Sequence, residues 1–414
     1  MASLQPVRGT HDILFDDFRL HQRVRDAARE IAGRYGFREM TPPVFEFTDV
    51  FSRTLGETSD VVTKEMYTFT DRGGDSITLR PEFTAGIARA FMSNGLAQEV
   101  PFKAFCQGPV FRHERPQKGR LRQFHQLDVE IIGVPTPQAD IEVIAVGQHI
   151  LDALGLADRV RLEINSLGDP ESRQAYRQVL LDYLEAHKDD LSEDSVDRMY
   201  RNPLRLFDSK NEGDRAIMAD APILWDHMNE TGRGFFNDVL AGLDAIGIGY
   251  TINRKLVRGL DYYTHTAFEF VTDDLGAQGA VMAGGRYDGL MEQMGGKPTP
   301  GIGWAAGIER LAMMIGEASA APGPVVVVPV GEAAQATALT LTQSLRRAGY
   351  AVDLGYSGNL KKRLNRANKI NARAAVMLGD DELAKGVATV RDMQTGDQAE
   401  VALDALEAHL DAYR

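Results

Sequence analysis

Apolar residues near the start of the chain recur at helical spacing. Phe18, Val24, Ala28, Ile31 and Tyr35 share one face of an amphipathic helix predicted over Phe15–Tyr35. Gly36 ends it, and Pro42-Pro43 stops any continuation. Strand-like runs follow at Met66–Thr70, Ile77–Leu79, Ala104–Arg112, Gln123–Ile132 and Val160–Asn165. Such a density of strands between helices predicts a mixed, mainly antiparallel sheet, an α+β fold. From Glu171 to about Ile248 the pattern is almost entirely helical, and strands resume at Tyr250–Asn253, Ala267–Val271 and Gly279–Ala283. The helical block therefore reads as an insertion into the sheet domain.

A boundary falls near Ala320–Pro324, where small residues and prolines separate a helical pattern from a new apolar run. Beyond it, Val325–Val330, Tyr350–Leu354 and Ala374–Leu378 read as strands, with helical spacing at Ala333–Ala348 and Leu360–Lys369. Strands alternating with helices predict a parallel α/β unit. The expected domains are thus 1–170 with 249–320, an insertion at 171–248, and 324–414. A chain of 414 residues agrees with that number, at roughly 150 residues per domain.

Composition adds a puzzle. The chain carries 46 basic and 59 acidic side chains, a net charge of −13, which argues at first against a nucleic-acid partner. The charge is unevenly spread. Glu171–Ile248 holds 16 acidic and 9 basic residues, whereas Pro324–Arg414 holds 11 of each. Within that last segment Asn359–Arg373 has six cations and no acid, and binding follows local patches rather than net charge. Cys106 is the single cysteine, so internal disulfides and multi-thiolate metal sites are excluded. No signal peptide is apparent over Met1–Phe18, and no apolar run approaches the ~20 residues of a membrane span. A cytoplasmic protein with no membrane partner is expected.

The P-loop, H-E-x-x-H and G-x-S-x-G patterns are absent. Arginines beside strands stand out instead. Arg112–Arg122 has five cations and one acid in a loop carrying Pro116 and Gly119, and it leads into Gln126, Asp128 and Glu130 alternating with Leu127, Val129 and Ile131. Period 2 puts those three polar side chains on one strand face. Leu256–Phe270 sets Arg258 just ahead of Tyr262 and Tyr263, Ala283–Leu290 carries Arg286 after two glycines, and Pro300–Leu311 runs through glycines to Arg310. Each segment alone is equally a turn or a core strand with a surface arginine. Four in one domain favour polyphosphate recognition.

These segments carry a resemblance. PGIGWAAGIERL (Pro300–Leu311), FRHERPQKGRLRQFHQLDVE (Phe111–Glu130) and RYGFREMTPPVFE (Arg34–Glu46) resemble, in reverse chain order, the three motifs of class II aminoacyl-tRNA synthetases. LVRGLDYY (Leu256–Tyr263) and AGGRYDGL (Ala283–Leu290) resemble two signatures of the histidyl-tRNA synthetase family. ITLRPEFTAG (Ile77–Gly86), NPLRLFDSKN (Asn202–Asn211) and NLKKRLNRANKINARAAVMLGDDE (Asn359–Glu382) are similar to it as well. One departure is Phe83, where some relatives carry glycine.

The resemblance implies a catalytic domain on a six-stranded antiparallel sheet, a helical insertion and an α/β anticodon-binding domain. It implies a homodimer interface built by Phe15–Tyr35 and the Pro42-Pro43 stretch. The implied activity is ATP-dependent attachment of L-histidine to tRNA(His) through a histidyl-adenylate. Arg112 and Arg258 would flank the α-phosphate, Arg310 the outer phosphates, and Phe124 would stack on adenine. Glu82, Thr84 and Gln126 would hold the α-amino group; Glu130 and Tyr263, beside Tyr262, would take the imidazole. Mg²⁺ is expected with ATP, with no ligand assigned. Arg115, Gln117, Lys118 and Arg120 are candidate tRNA readers in the catalytic domain, and Lys361, Lys362, Arg363, Arg366 and Lys369 in the C-terminal one. The rival reading is an inactive paralogue serving as regulatory subunit of ATP phosphoribosyltransferase, which lacks the anticodon domain and the signature arginines.

Overall fold

The first helix forms over Phe15–Arg34, and its buried side is Leu20, His21, Val24, Ala28, Ile31 and Ala32. Phe18 corrects the predicted face: it is 51% exposed. At about 100° per residue it falls roughly a third of a turn from the Val24–Ile31 line, so the helix cannot bury both. The computed structural model describes residues 3–55, 61–257, 262–276, 279–318 and 322–414. The chain divides into two units, Met1–Ala318 and Ser319–Arg414.

Among the described residues of the first unit, eight strands make the main sheet. They are β1 (Arg38–Glu39), β2 (Phe102–Phe111), β3 (Gln123–Ile132), β4 (Arg161–Ser166), β5 (Thr251–Ile252), β6 (Thr264–Val271), β7 (Ala280–Arg286) and β8 (Gly301–Gly307). Their order is β1-β2-β3-β8-β7-β6-β4-β5. The six from β2 to β4 pair antiparallel throughout. The two-residue edge strands β1 and β5 pair parallel to their neighbours, so the expected six-stranded sheet is widened by one short strand at each side.

Alternation along β3 separates two cores. Leu127, Val129 and Ile131 face a cluster with Val24, Ala28 and Ile31 of the first helix, Val143 and Ile150 of helix Pro137–Ala153, and Ile308 and Leu311 of helix Ile308–Ile315. The opposite face carries Gln126, Asp128 and Glu130, alongside a second cluster that includes Phe83, Ile87, Cys106, Tyr262, Tyr263 and Tyr287. A small sheet of Phe45–Phe47, Ser76–Leu79 and Tyr67–Thr70 belongs to the same unit.

The helical block is built from Pro170–Ala186, Glu193–Arg201, Glu212–Ala219 and Glu230–Ala245. Each begins at a side chain that accepts from the first-turn backbone: Asp169, Ser192, Asn211 and Asn229. Such caps are worth about 1 kcal/mol apiece. Tyr176, Leu180, Leu184, Met199, Leu206 and Met218 form a core of their own, whereas Phe236, Val239 and Leu243 of the last helix enter the core beneath the main sheet.

In the second unit Val325–Pro329 pairs parallel with both Val352–Leu354 and Ala374–Leu378. Two further strands, Val387–Asp392 and Gln398–Ala402, add antiparallel, so the sheet is mixed rather than parallel. Helices Ala334–Arg347 and Leu360–Lys369 accompany it. No described helix is long and apolar enough to cross a membrane.

Candidate active site

A cavity of about 390 Å³ opens on the polar face of β3. Its lining includes Glu82, Thr84, Arg112, Phe124, Gln126, Glu130, Tyr262, Tyr263 and Arg310, residues far apart in the chain that the sheet brings together. Arg258 lies outside the described residues.

One part of the cavity is a buried, acidic floor. Glu130 is 1% exposed; it accepts from Thr84 Oγ1 at 2.6 Å on one oxygen and from the Tyr287 hydroxyl on the other. Burial pushes its carboxyl up to about 7, against those hydrogen bonds, which favour the ionised form. Glu82 stands at the start of helix Thr84–Ser93 and takes the Ala85 N–H at 3.0 Å. Burial raises its carboxyl too, opposed by that bond and by Arg112. Gln126 is buried, and among the described residues no donor reaches its Oε1. An unpaired buried amide oxygen is costly unless a ligand donates to it.

Another part is cationic. Arg112 donates from Nε to Pro81 O at 2.9 Å and lies over the Phe124 ring at 5.4 Å. Arg310 is fixed by two carbonyls, Gly119 O at 3.1 Å and Ala280 O at 2.6 Å. Gly119 has φ +73°, and that left-handed turn is what lets the hairpin between β2 and β3 fold back onto Arg310. Burial, then the nearby Arg120 and Arg112, lower the Arg310 guanidinium. Guanidinium groups that disfavour each other's charge suit an anion, since a polyphosphate would relieve the repulsion. Arg120 pairs with Glu114, and both line the cavity, whereas Arg115, Gln117 and Lys118 stand exposed on the loop.

Arg286 corrects the sequence reading. It is fully buried, pairs with the equally buried Asp140, and donates to Val134 O at 3.0 Å and Thr136 O at 3.2 Å. It ties β7 to the start of helix Pro137–Ala153 and takes no part in a phosphate site. Its neighbour Tyr287, one residue beyond the end of β7, reaches Glu130 instead. Its role was missed: Tyr287 was read only within AGGRYDGL, and nothing local marks a partner 157 residues away.

Sheet and cavity together define the catalytic core of a class II aminoacyl-tRNA synthetase. The family model described as histidyl-tRNA synthetase matches residues 9–311, and one described as anticodon binding domain matches 324–412. The chain is 62% identical over 411 residues to the histidine–tRNA ligase of Rhodospirillum rubrum, covering 99% of each. It is 55% identical to that of Gluconacetobacter diazotrophicus, again over 99% of both. The apo histidyl-tRNA synthetase of S. aureus superposes with a TM-score of 0.83 at 34% identity, covering 98% of this chain and 99% of that one. The chain belongs to the histidyl-tRNA synthetase family.

Proposed function

We propose that this protein attaches histidine to tRNA in two steps, both at the cavity on β3. The histidine carboxylate attacks the α-phosphate of ATP, giving histidyl-adenylate and pyrophosphate. The terminal ribose hydroxyl of tRNA(His) then takes the histidyl group and releases AMP. The observation that carries this reading is the one cavity holding both a buried Glu130–Thr84–Tyr287 cluster and the Arg112–Arg120–Arg310 group.

Glu130 accepts from one imidazole nitrogen and Tyr263 pairs with the other, while Glu82, Thr84 and Gln126 surround the α-amino group. Gln126 Oε1 supports that last role, since an ammonium donor meets its unmet need. A site that hydrogen-bonds both ring nitrogens leaves buried groups unpaired with other amino acids, which discriminates by about 10⁴ or more. Phe124 stacks on adenine. Arg112 and Arg258 hold the α-phosphate and Arg310 the outer phosphates, so positioning and electrostatics rather than a nucleophile drive the transfer. Mg²⁺ neutralises developing phosphate charge in such chemistry. Glu114 and Glu269 line the same cavity, are near enough to Arg310 to affect its charge, and offer the hard oxygen donors that Mg²⁺ takes.

The division into a core (1–170 and 249–320), an insertion (171–248) and an anticodon-binding domain (324–414) is supported by the separate core around Tyr176 and Leu180. A homodimer through the first helix and the Pro42-Pro43 region is supported by the exposed Phe15, Phe18, Phe45, Phe47 and Phe69. The regulatory-subunit reading is not favoured, since relatives matched end to end are ligases and an anticodon domain is present. Histidine-dependent ATP–pyrophosphate exchange tests the proposal. Absence of exchange in the purified protein, with Arg258→Ala indistinguishable from the parent, overturns it.

A further inference from the structure

Between Gln126 and Glu130 on the polar face of β3 lies a third side chain that the mechanism leaves unused. Asp128 has 0% exposure and, unlike its two neighbours, does not line the cavity. Among the described residues no N–H or O–H donor reaches either of its oxygens. In register it faces Cys106 on β2 and Ala305 on β8, neither of which supplies a strong donor. The titratable and charged groups around it are Glu130 on its own strand, Glu82, Arg80, Cys106 and Tyr287. Arg80 gives hydrogen bonds to the carbonyls of Pro42, Pro43 and Pro109.

An ionised carboxylate at such a place is without compensation, and burial of an uncompensated charge is prohibitive. A neutral carboxylic acid is not, because it brings its own O–H donor. The acceptor beside it is the Glu130 carboxyl, two residues along the strand and in hydrogen-bond relation to it. Two carboxyl groups hydrogen-bond only when they share a proton, so Asp128 is satisfied only as the protonated member of the pair.

We propose that Asp128 is a positioning residue for histidine recognition: as a neutral acid it donates its proton to Glu130, so the pair holds one proton and Glu130 turns an ionised oxygen to the substrate imidazole. This rests on Glu130 as the imidazole's partner. Thr84, Tyr287 and Asp128 then supply three donors to one carboxylate, which fixes its plane and holds its charge in a buried site. The electrostatics point the same way. Burial, reinforced by Glu130 and Glu82, raises the Asp128 carboxyl well above its ordinary range, and the hydrogen bond between the two acids favours the proton on Asp128. Two failures of recognition follow. A second proton, at acid pH, neutralises Glu130 and removes the ionised acceptor. Loss of the shared proton, at alkaline pH, sets two like charges side by side and displaces Glu130 from the ring.

The test uses the full chain with Asp128→Asn and Asp128→Ala, read by pyrophosphate exchange at varied histidine and varied ATP from about pH 5.5 to 9.5, with thermal melting alongside. Asparagine keeps an N–H toward Glu130 but cannot ionise, so the alkaline fall in kcat/KM for histidine expected of the parent should disappear. Alanine removes the donor, raising KM for histidine about tenfold or more while KM for ATP stays near the parent value. Should alanine fail to fold, the pH profile of the asparagine variant decides alone. Persistence of the alkaline limb in Asp128→Asn, or melting changes without movement of the histidine parameters, overturns the proposal. Glu130→Gln separates the two layers. If it leaves KM for histidine unchanged, the imidazole assignment itself fails; if it raises KM while both Asp128 variants are silent, only the role of Asp128 falls.

Discussion

Gly303 on β8 lies in register with Glu130 on β3, and a β-carbon at Gly303 would come within 1.7 Å of Glu130 Oε2. The missing side chain is therefore part of the site. It lets the carboxylate lie against the neighbouring strand, where Tyr287 and Thr84 can both reach it. Gly303→Ala must push Glu130 aside or part the strands, since Val129 O would also be only 2.5 Å away. The expected result is a fall in kcat/KM for histidine on the order of 10²-fold, the cost of a misplacement of about 1 Å. KM for ATP should change little. Pyrophosphate exchange with each substrate varied in turn checks this, and equal losses for both would mean general damage rather than a displaced carboxylate.

Arg286 and Arg310 look alike in the sequence and should behave oppositely. Removing Arg286 leaves Asp140 charged, fully buried and unpaired, which costs about 3–5 kcal/mol. Arg286→Ala should therefore melt far below the parent, with activity lost through unfolding. Arg310 is held by carbonyls that water can satisfy once the cavity opens onto them. Arg310→Ala should melt close to the parent yet raise KM for ATP by about 10²-fold, with KM for histidine nearly constant. Thermal melting and exchange kinetics on both variants decide, and a stable Arg286→Ala would contradict the structural role.

The strand face that carries the site was legible in the sequence, whereas the buried place of Arg286 was not. Alternation along Gln123–Ile132 was visible because apolar Leu127, Val129 and Ile131 separate the polar residues. The face holding the site could thus be named from residue types. Gly301–Gly307 showed no such alternation: with glycines, alanines, Ile302 and Trp304, it read only as a glycine-spaced run into a helix and was not named a strand, yet it is a central one. Its small residues are dictated by neighbours, Glu130 against Gly303 and the Tyr287 ring against Gly301. Arg286 was misread for a related reason. Its partner Asp140 is 146 residues away, and nothing local distinguishes an arginine bound for a buried acid from one bound for a phosphate. Hydrophobic periodicity reports the layer a side chain enters; it does not report which long-range partner waits there. The two antiparallel strands after Asp380–Lys385 escaped notice because Gln398–Ala402 is mostly exposed and so shows little apolar alternation.

Burial of Glu130 also predicts a pH dependence of stability. Its folded-state carboxyl sits at about 7, above the ordinary 4.5, so the folded protein holds this proton more tightly than the unfolded chain. Below about pH 4.5 both states are protonated and no difference arises. Between 4.5 and 7 the unfolded chain ionises freely while the folded site resists, so stability falls as pH rises; above 7 the loss is complete and constant. Its size is on the order of 3 kcal/mol. Glu130→Gln carries no such charge. Parent stability relative to that variant should therefore decline across this window in denaturant melts at matched pH. A difference independent of pH would mean that Glu130 ionises as readily in the fold as outside it.

The basic helix of the second unit sorts its own cations. Arg366 is tied to Asp353 with Nε 3.1 Å from the carboxylate, and Arg363 donates to the Pro329 carbonyl. Lys361, Lys362 and Lys369 stand exposed, and Asn359 caps the helix by accepting the Lys362 N–H at 3.0 Å. A phosphate backbone would therefore meet lysines first, with the two arginines already engaged in the fold. Lys361→Glu combined with Lys369→Glu should raise KM for tRNA by about tenfold or more at low salt, and the effect should shrink as salt rises. Each lost phosphate contact lowers the salt slope of binding by about one. Pyrophosphate exchange, which uses no tRNA, should not change. Arg363→Ala should instead lower the melting temperature, since its carbonyl contact belongs to the fold. A weakening of tRNA use that is the same at every salt concentration would mean that the lysines act through structure rather than as charges, and the local patch would then not explain how a chain of net charge −13 engages its nucleic acid.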